Sequence, residues 1–381
     1  MWVTAGQRSL LCSLELSSFS NTAFQGSALP ARRNDLSATS HSPRMRSSRA
    51  SGRITMQDVA AHVGVSTMTV SRALRGEANV EQQLMQRIRA AALEMGYVPD
   101  PAARALASQK STQILMLVPM LSNTLFVDVI DAVHAVLFPA GYQVVTGVTH
   151  YDSEEECKLL QSYLPMRPAG LLVTGFNHNQ ESQKLLAQSR VPCVHMMELS
   201  QDPLVPCVGF SQEDAGAAIT AHLLAQGRRR IAFCAGQLDA RVMQRASGWR
   251  RTMEAAGLYS PQLEIMWPAP TSMAMGANLL RTTLAQIPEV DAIFFCNDDI
   301  AQGATLEALR LGIDVPGRIA IAGFNDLPGS DQMIPPLTTI RTPRASIGAQ
   351  SAQLLMQLIN GETPEVVRKD LGFELMVRAS S

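Results

Sequence analysis

Several of the residues and patterns that most sharply restrict a protein's chemistry are scarce or missing from this chain. Aromatic residues make up only 5% of its 381 positions, and there are six cysteines. Those cysteines (Cys12, Cys157, Cys193, Cys207, Cys234 and Cys296) are scattered, with no Cys-x-x-Cys pair and no histidine at ligand spacing. That spacing argues against a zinc site or a disulfide framework and reads as buried thiols in a reducing cytosol. No apolar run approaches the length of a membrane span, so no membrane partner is expected. Neither charge dominates: 32 Lys and Arg face 33 Asp and Glu, a net charge of −1. A phosphate-binding glycine loop and a nucleophile elbow are both missing. A catalytic centre, a metal site and a cofactor are therefore not expected.

The charge is unevenly placed. From Arg44 to Lys110 there are ten basic and five acidic residues, a local excess of +5, and the remainder is correspondingly acidic. A basic head on an acidic body fits a module that neutralises phosphates joined to something else. Residues 1–50 are rich in Ser and Arg and lack apolar periodicity, the composition of a segment with no core to pack. The short apolar patch around Leu10, Leu11 and Leu14 is followed by Glu15 and by no convincing cleavage site, so a secretory signal is not expected.

Ile54 to Gly76, ITMQDVAAHVGVSTMTVSRALRG, reads as two short helices separated by a tight turn. Thr55 is placed to cap the first helix, with Asp58 three residues on as the acid of a capping box. Val59, Ala60 and Val63 form its apolar stripe, Gly64 allows the backbone to turn, and Val65 packs the corner. Ser66 is placed to cap the second helix, on which Val70 and Leu74 face inward while Thr67, Met68, Ser71 and Arg72 face out. This is the geometry that puts a helix into the major groove of DNA.

The segment resembles the DNA-binding headpiece of the lactose/galactose repressor family, whose signature is close to T-x-x-D-V-A-x-x-x-G-V-S-x-x-T-V-S-R. Thr55, Asp58, Val59, Ala60, Gly64, Val65, Ser66, Thr69, Val70, Ser71 and Arg72 meet every fixed position. A third amphipathic helix is expected from Asn79 to Met95, with Leu84, Ile88, Ala91, Ala92 and Met95 on one face. Gly96-Tyr97-Val98-Pro99 matches the family's turn, and the resemblance makes Pro101 to Ser108 a hinge helix whose Leu106 wedges into the minor groove. Gln57, Ser66, Thr67, Met68, Thr69, Ser71, Arg72 and Leu106 are thus the expected DNA contacts. Asp100, Glu81 and Leu84 depart from the family pattern where phosphate contacts are usual, which implies a shallower salt dependence of binding. Family members begin a few residues before the first helix, so translation is expected to start at Met45.

From Gln113 onward, buried apolar runs alternate with helical patterns. Strands are expected at Ile114–Val118, Gln143–Val148, Gly170–Thr174, Cys193–Met196, Ile231–Ala235, Ala292–Cys296 and Ile319–Ala322, with a helix from about Phe126 to Phe138. Pattern reading gives two doubly wound α/β subdomains with a ligand site off the carboxyl ends of the strands. The resemblance adds that the core is like a periplasmic sugar-binding protein with crossovers between its lobes. The expected fold is then an all-α helix-turn-helix headpiece plus an α/β periplasmic-binding-protein-like core. In this division, residues 1–50 are an extension, 54–98 the headpiece, 99–111 the hinge and 112–381 the core. Within the core, an N-subdomain takes about 112–196 and 343–365, and a C-subdomain about 197–341 and 366–381.

Polar residues just after the strands are the candidate effector contacts: Asn123, Phe126, His178, Arg245, Asn297, Asn325 and Thr342. Arg245 supplies the cation that a carboxylate-bearing ligand needs, and Phe126 can stack on an apolar face. His178 has an equally simple reading as a structurally bonded histidine, and Asn297 as the cap of the following helix. Asp298 and Asp299 read as acids at a positive helix end, and Glu154-Glu155-Glu156 as a solvated helix face.

Within the family the chain most resembles the gluconate-operon repressors, through Leu117-Val118-Pro119 with Leu121-Ser122-Asn123, Val208-Gly209-Phe210, Cys296 to Ala301, and Asp370 to Phe373. The resemblance implies a cytoplasmic, nucleoid-associated homodimer that binds a palindromic double-stranded operator and releases it when gluconate or a related sugar acid binds. A repressor answering to another sugar or nucleoside, and a solute-binding module with vestigial DNA binding, remain alternatives.

Overall fold

The computed structural model describes residues 54–76, 79–98, 111–122 and 124–381. They divide into two compact units between Val98 and Pro99.

The first unit contains helices α1 (Met56–Val63), α2 (Thr67–Arg75) and α3 (Gln82–Glu94). Thr55 and Asp58 form the expected capping box: the Thr55 amide donates to Asp58 Oδ2 at 2.8 Å and the Asp58 amide to Thr55 Oγ1 at 3.4 Å. These bonds hold the Asp58 carboxyl below its usual pKa. Gly64 takes φ 78°, the left-handed turn that a side chain would strain, and Ser66 Oγ accepts the Thr69 amide at 3.1 Å. Val59, Val70, Ala73, Ile88 and Ala92 close the core between the three helices. The third helix starts at Gln82, three residues later than expected. Val80 tucks into the core ahead of it, and Glu81 at the N-cap makes no side-chain bond.

The second unit has two lobes. The first lobe carries six parallel strands: β1 (Gln113–Val118), β2 (Gln143–Val148), β3 (Gly170–Thr174), β4 (Cys193–Met196), β5 (Cys207–Gly209) and β11 (Arg368–Asp370). Their order is β11-β5-β4-β3-β1-β2. Helices α4 (Thr124–Leu137), α5 (Ser153–Tyr163), α6 (Gln180–Ser189) and α11 (Arg344–Ile359) pack on its faces. The second lobe carries β6 (Ile231–Gly236), β7 (Glu264–Trp267), β8 (Ala292–Phe295) and β9 (Ala320–Ala322) in the order β7-β6-β8-β9. With it go α7 (Gln212–Ala225), α8 (Ala240–Ala255), α9 (Met273–Gln286) and α10 (Asp298–Arg310). A two-stranded antiparallel pair, β10 (Thr339–Arg341) with β12 (Glu374–Met376), completes the strands.

Both sheets reverse their strand order beside the first strand, between β1 and β3 and between β6 and β8. Such reversal points leave a crevice at the carboxyl ends of the strands. The chain crosses between lobes after β5, after β10 and after β11. Phe210 and Phe373 sit on two of these crossings, and Phe210 stacks on Phe324 at 6.4 Å.

The lobe boundaries differ from expectation. The sequence pattern places about 197–341 and 366–381 in the second lobe, yet β5 and β11 pair within the first lobe's sheet. Each is three residues long, and Arg368-Lys369-Asp370 is too polar to carry a strand signature. Pairing at a sheet margin, not hydrophobic pattern, defines these strands.

Helices α7 and α8 approach so closely that a Cβ on Gly248 would run into the carbonyl oxygen of Glu213. Gly248→Ala should therefore destabilise the protein by about 1–3 kcal/mol, a drop in melting temperature that calorimetry would detect. An unchanged melting temperature would mean that this helix contact is not rigid.

Candidate effector cleft and nucleic-acid interface

On the headpiece, α2 presents the expected face. Ser66, Thr67 and Arg72 are exposed, Met68 is 62% exposed despite being apolar, and Thr69 and Ser71 are half-buried. Ser66 and Thr69 serve the helix start, their hydroxyls 2.9 Å apart, and Gln57 is exposed on α1. The hinge expected at 99–111, with Leu106, lies almost wholly outside the described residues, as does Asn123.

In the second unit, Arg245 lies one turn after Arg241 on α8, and both are buried. The helix owes its position to Asp239, whose carboxylate caps it by accepting the Arg241 amide at 2.9 Å. Arg245, with Phe126, Asn297 and Asn325, lines a small cavity reached by both lobes. Its guanidinium is held entirely by neutral oxygens among the described residues. Nε donates to Gln212 Oε1 at 2.8 Å, and Nη1 donates to the Cys296 carbonyl at 2.6 Å and to Asn297 Oδ1 at 2.8 Å. The Phe324 ring lies 3.9 Å below it. Burial, only partly offset by nearby groups such as Asp239, draws the Arg245 pKa down to about 10, so it is still charged at neutral pH.

Asn297 stands at the start of α10 but makes no capping bond; its Oδ1 accepts from Arg245 and from Asn325 Nδ2 at 3.3 Å. Asn325 Oδ1 is buried and no donor among the described residues reaches it. Asn325 thus gives the cavity a waiting acceptor, beside the Arg245 cation and the Arg241–Asp239 pair that also line it. Thr342 is buried behind this layer, its hydroxyl donating to the Asn325 carbonyl at 3.5 Å, and does not line the Arg245 cavity.

His178 is likewise not in that cavity. Its Nδ1 is 2.7 Å from Glu156 Oε1 and its Nε2 is 3.4 Å from His195 Nδ1, so the bonded structural histidine is the reading that fits. Glu156 is buried too, against the expectation of a solvated acidic face, because α5 turns it inward to meet His178. Asp298 is also internal: it accepts from the Leu327 amide, Ser330 and Thr339, and burial raises its pKa to about 6.

Arg241, Glu198, Tyr151, Asp239 and Gln212 were missed as site residues. Arg241 lies 5.7 Å from both the Phe126 and Tyr151 ring centres, 3.3 Å from Asp239 and 3.8 Å from Glu198. Burial works against its charge, but Asp239, Tyr151 and Glu198 outweigh it and hold its pKa above the ordinary value. Burial raises Glu198, and raises Tyr151 to about 12. Tyr151, Glu198, Asp239 and Arg241 line a second cavity, which shares Tyr151, Asp239 and Arg241 with the first. Arg241 was findable as the residue four before Arg245 on one helix face; Glu198 had no sequence signal.

A helix-turn-helix unit and a two-lobed binding core in one chain define a DNA-binding regulator with a small-molecule input. The family model for bacterial regulatory proteins of the lacI family matches residues 55–100, and that for a periplasmic binding protein-like domain matches residues 220–381. The HTH-type transcriptional regulator GntR of Pseudomonas aeruginosa is 50% identical over 336 residues, 88% of this chain and 98% of that protein. The crystal structure of transcription regulator GntR from Chromobacterium violaceum is 50% identical with a TM-score of 0.69, covering 71% of this chain and 99% of that one. The lac repressor dimer bound to operator and the anti-inducer ONPF is 26% identical with a TM-score of 0.75, covering 86% and 99%. The chain belongs to the lacI family of bacterial regulatory proteins and is a DNA-binding transcriptional regulator, not an enzyme.

The histidine pair generates a pH prediction. His195 donates from Nδ1 to the Gly175 carbonyl at 2.9 Å, and burial lowers its pKa from 6.5 to about 4. Between those values the unfolded chain binds a proton that the folded one does not, so this group's stabilisation is complete above 6.5 and is lost as pH falls toward 4. Asp298, raised toward 6, acts in the opposite sense, so wild type and His195→Asn must be compared. The variant's stability should fall less steeply with acidification, by about 1.4 kcal/mol per pH unit within the window. Parallel slopes in denaturant titrations would refute the assignment.

Proposed function

We propose that the protein is a homodimeric repressor whose affinity for a palindromic operator falls when gluconate or a close sugar acid fills the cleft of the second unit. The observation that carries this reading is Arg245, a buried guanidinium whose described partners are all uncharged. A buried cation with no carboxylate in hydrogen-bond reach is costly, and a ligand carboxylate that accepts from it in bidentate fashion offsets that cost. Asn297 and Asn325 then serve the ligand's hydroxyls, and Phe126 its apolar face. Asn325 stands where many sugar-binding relatives carry Asp, which removes a repelling carboxylate from beside an anion. Arg245 and Asn325 come from the second lobe and Phe126 from the first, so a ligand that touches all three favours one relative placement of the lobes.

On the output side, Thr67, Met68, Ser71 and Arg72 are the residues set to read base edges, while Gln57, Ser66 and Thr69 fix the helix on the backbone. Leu106 is assigned to the minor groove. The lac repressor solved as a dimer on its operator supports the dimeric arrangement. The cytoplasm is the compartment this function requires.

A gel-shift titration on the protein's own upstream DNA tests the reading. The protein should bind at low salt, and gluconate should release it. Glucose, which lacks a carboxylate, should not. Arg245→Ala should raise the gluconate concentration for half-release roughly 100-fold while leaving operator affinity unchanged. Failure to bind DNA would sink the regulator reading for this headpiece. Release that is indifferent to gluconate and to its phosphorylated and keto forms would sink the effector.

A further inference from the structure

Two consecutive non-glycine residues in the cleft loop after β9 adopt left-handed backbone angles: Asn325 at φ 107° and Asp326 at φ 51°. Residues other than glycine resist this region, and such strain persists only where surrounding contacts over-determine it. The Asn325 amide donates to the Ile340 carbonyl at 2.8 Å, the Asp326 amide to Thr339 Oγ1 at 3.3 Å, and Thr342 reaches the Asn325 carbonyl at 3.5 Å; the charged contacts are arginines. Arg341 Nε and Arg378 Nη2 each lie 2.8 Å from the Asp326 carboxylate. Arg344 takes the backbone: its Nη1 donates to the Asn325 carbonyl, and Nη1 and Nη2 approach the Asp326 carbonyl at 3.4 and 3.5 Å. The left-handed turn is what lets these two carbonyls face one guanidinium.

Arg344 also stands in an adverse place. It is the first residue of α11, where the positive helix end disfavours a cation, and Pro343 before it supplies no side-chain cap. What holds it is Asp128 on α4, whose Oδ2 accepts from Arg344 Nε at 2.7 Å. Helix α4 belongs to the first lobe and carries Phe126 two residues earlier, against the ligand cavity. The Asn325 loop belongs to the second lobe and places its side-chain amide in the same cavity.

We infer that Arg344, aimed by Asp128, is a positioning residue that sets Asn325 against the ligand and ties that ligand-reading loop to the first lobe. A ligand hydroxyl donating to Asn325 Oδ1 would then act on a loop whose backbone is already gripped from across the crossing. Ligand contact and relative lobe placement become one event through this guanidinium. Arg344 is not in the Arg245 cavity and touches ligand only through Asn325. The inference rests on the cleft reading above for the identity of the probe, and on the geometry alone for the clamp.

The test compares wild type with Arg344→Ala, Arg344→Lys and Asp128→Asn by two measurements. One is calorimetric titration with gluconate; the other is hydrogen–deuterium exchange of the amides of residues 325–327 in ligand-free protein. Arg344→Ala should weaken gluconate about tenfold and speed exchange of those amides by about tenfold. Arg344→Lys can reach a carbonyl but cannot also hold Asp128, and it should fall between Ala and wild type. Asp128→Asn should give about a threefold loss, and adding it to Arg344→Ala should cost nothing more, since both act through one path. A merely structural arginine would lower the melting temperature and leave gluconate affinity unmoved. Gluconate affinity and loop exchange both within twofold of wild type in Arg344→Ala would overturn the clamp. If wild type gives no heat with gluconate while Arg344→Ala still frees the loop, the ligand assignment fails and the clamp stands. Should Arg344→Ala not fold, Arg344→Lys and Asp128→Asn decide the matter by the same two readouts.

Discussion

A guanidinium taken out of water must be solvated by something else, and in this protein the cleft is organised to do that for Arg245. Gln212 reaches it from the start of α7, the Cys296 carbonyl and Asn297 from the end of β8, and Phe324 from the end of β9. Gln212 is anchored in turn by donating to the Met197 carbonyl at 3.0 Å, just beyond β4 in the other lobe. Each of these groups is uncharged, and together they hold the cation without neutralising it. Arg241, one turn away, is treated oppositely, with Asp239 and Glu198 as carboxylate partners. Two arginines on one helix face therefore have different electrostatic states. Arg241 has carboxylates within ion-pair reach, and Arg245 has only neutral oxygens within hydrogen-bond reach.

The strand orders explain why these groups meet. In each lobe the sheet turns back on itself beside its first strand, and the loops at that reversal splay apart. Asp239, Arg241 and Arg245 follow β6, Asn297 follows β8, and Phe126 and Tyr151 follow β1 and β2. Residues far apart in the chain are gathered because the two reversals open toward one another across the crossings.

How much of this the sequence discloses depends on the range of the interaction. The capping box at Thr55 and Asp58, the turn at Gly64 and the cap at Ser66 are contacts within a few residues, and each is visible in the letters alone. The long buried strands announce themselves too: Leu115, Met116, Leu117 and Val118 have no polar neighbour to interrupt them, and all are buried. Strands such as β5 and β11 exist only because a neighbouring strand offers an edge, so their own residues say little. The site divides along the same line. Arg245 and Asn297 come to line the cavity because strand ends and a helix start place them. His178 keeps two readings in the sequence because its partners, Glu156 and His195, are 22 and 17 positions away. Glu198 was invisible because nothing nearby in sequence indicates that an acid there would be buried facing an arginine.

The glycines at the α7–α8 contact have a mechanical meaning. Gly216 lets α7 lie against the backbone of Arg245 itself, and Gly248 lets α8 lie against the backbone at Glu213. Backbone resting on backbone leaves no side-chain layer to deform, so the two helices behave as a single stiff plate. Arg245 sits at the end of that plate where α7 begins: its Nε donates to Gln212, two residues after Phe210 on a crossing between the lobes. The arginine and the crossing are thus joined through one hydrogen bond and close-packed backbone, with no leucine-filled seam between them to take up a displacement as rotamer changes.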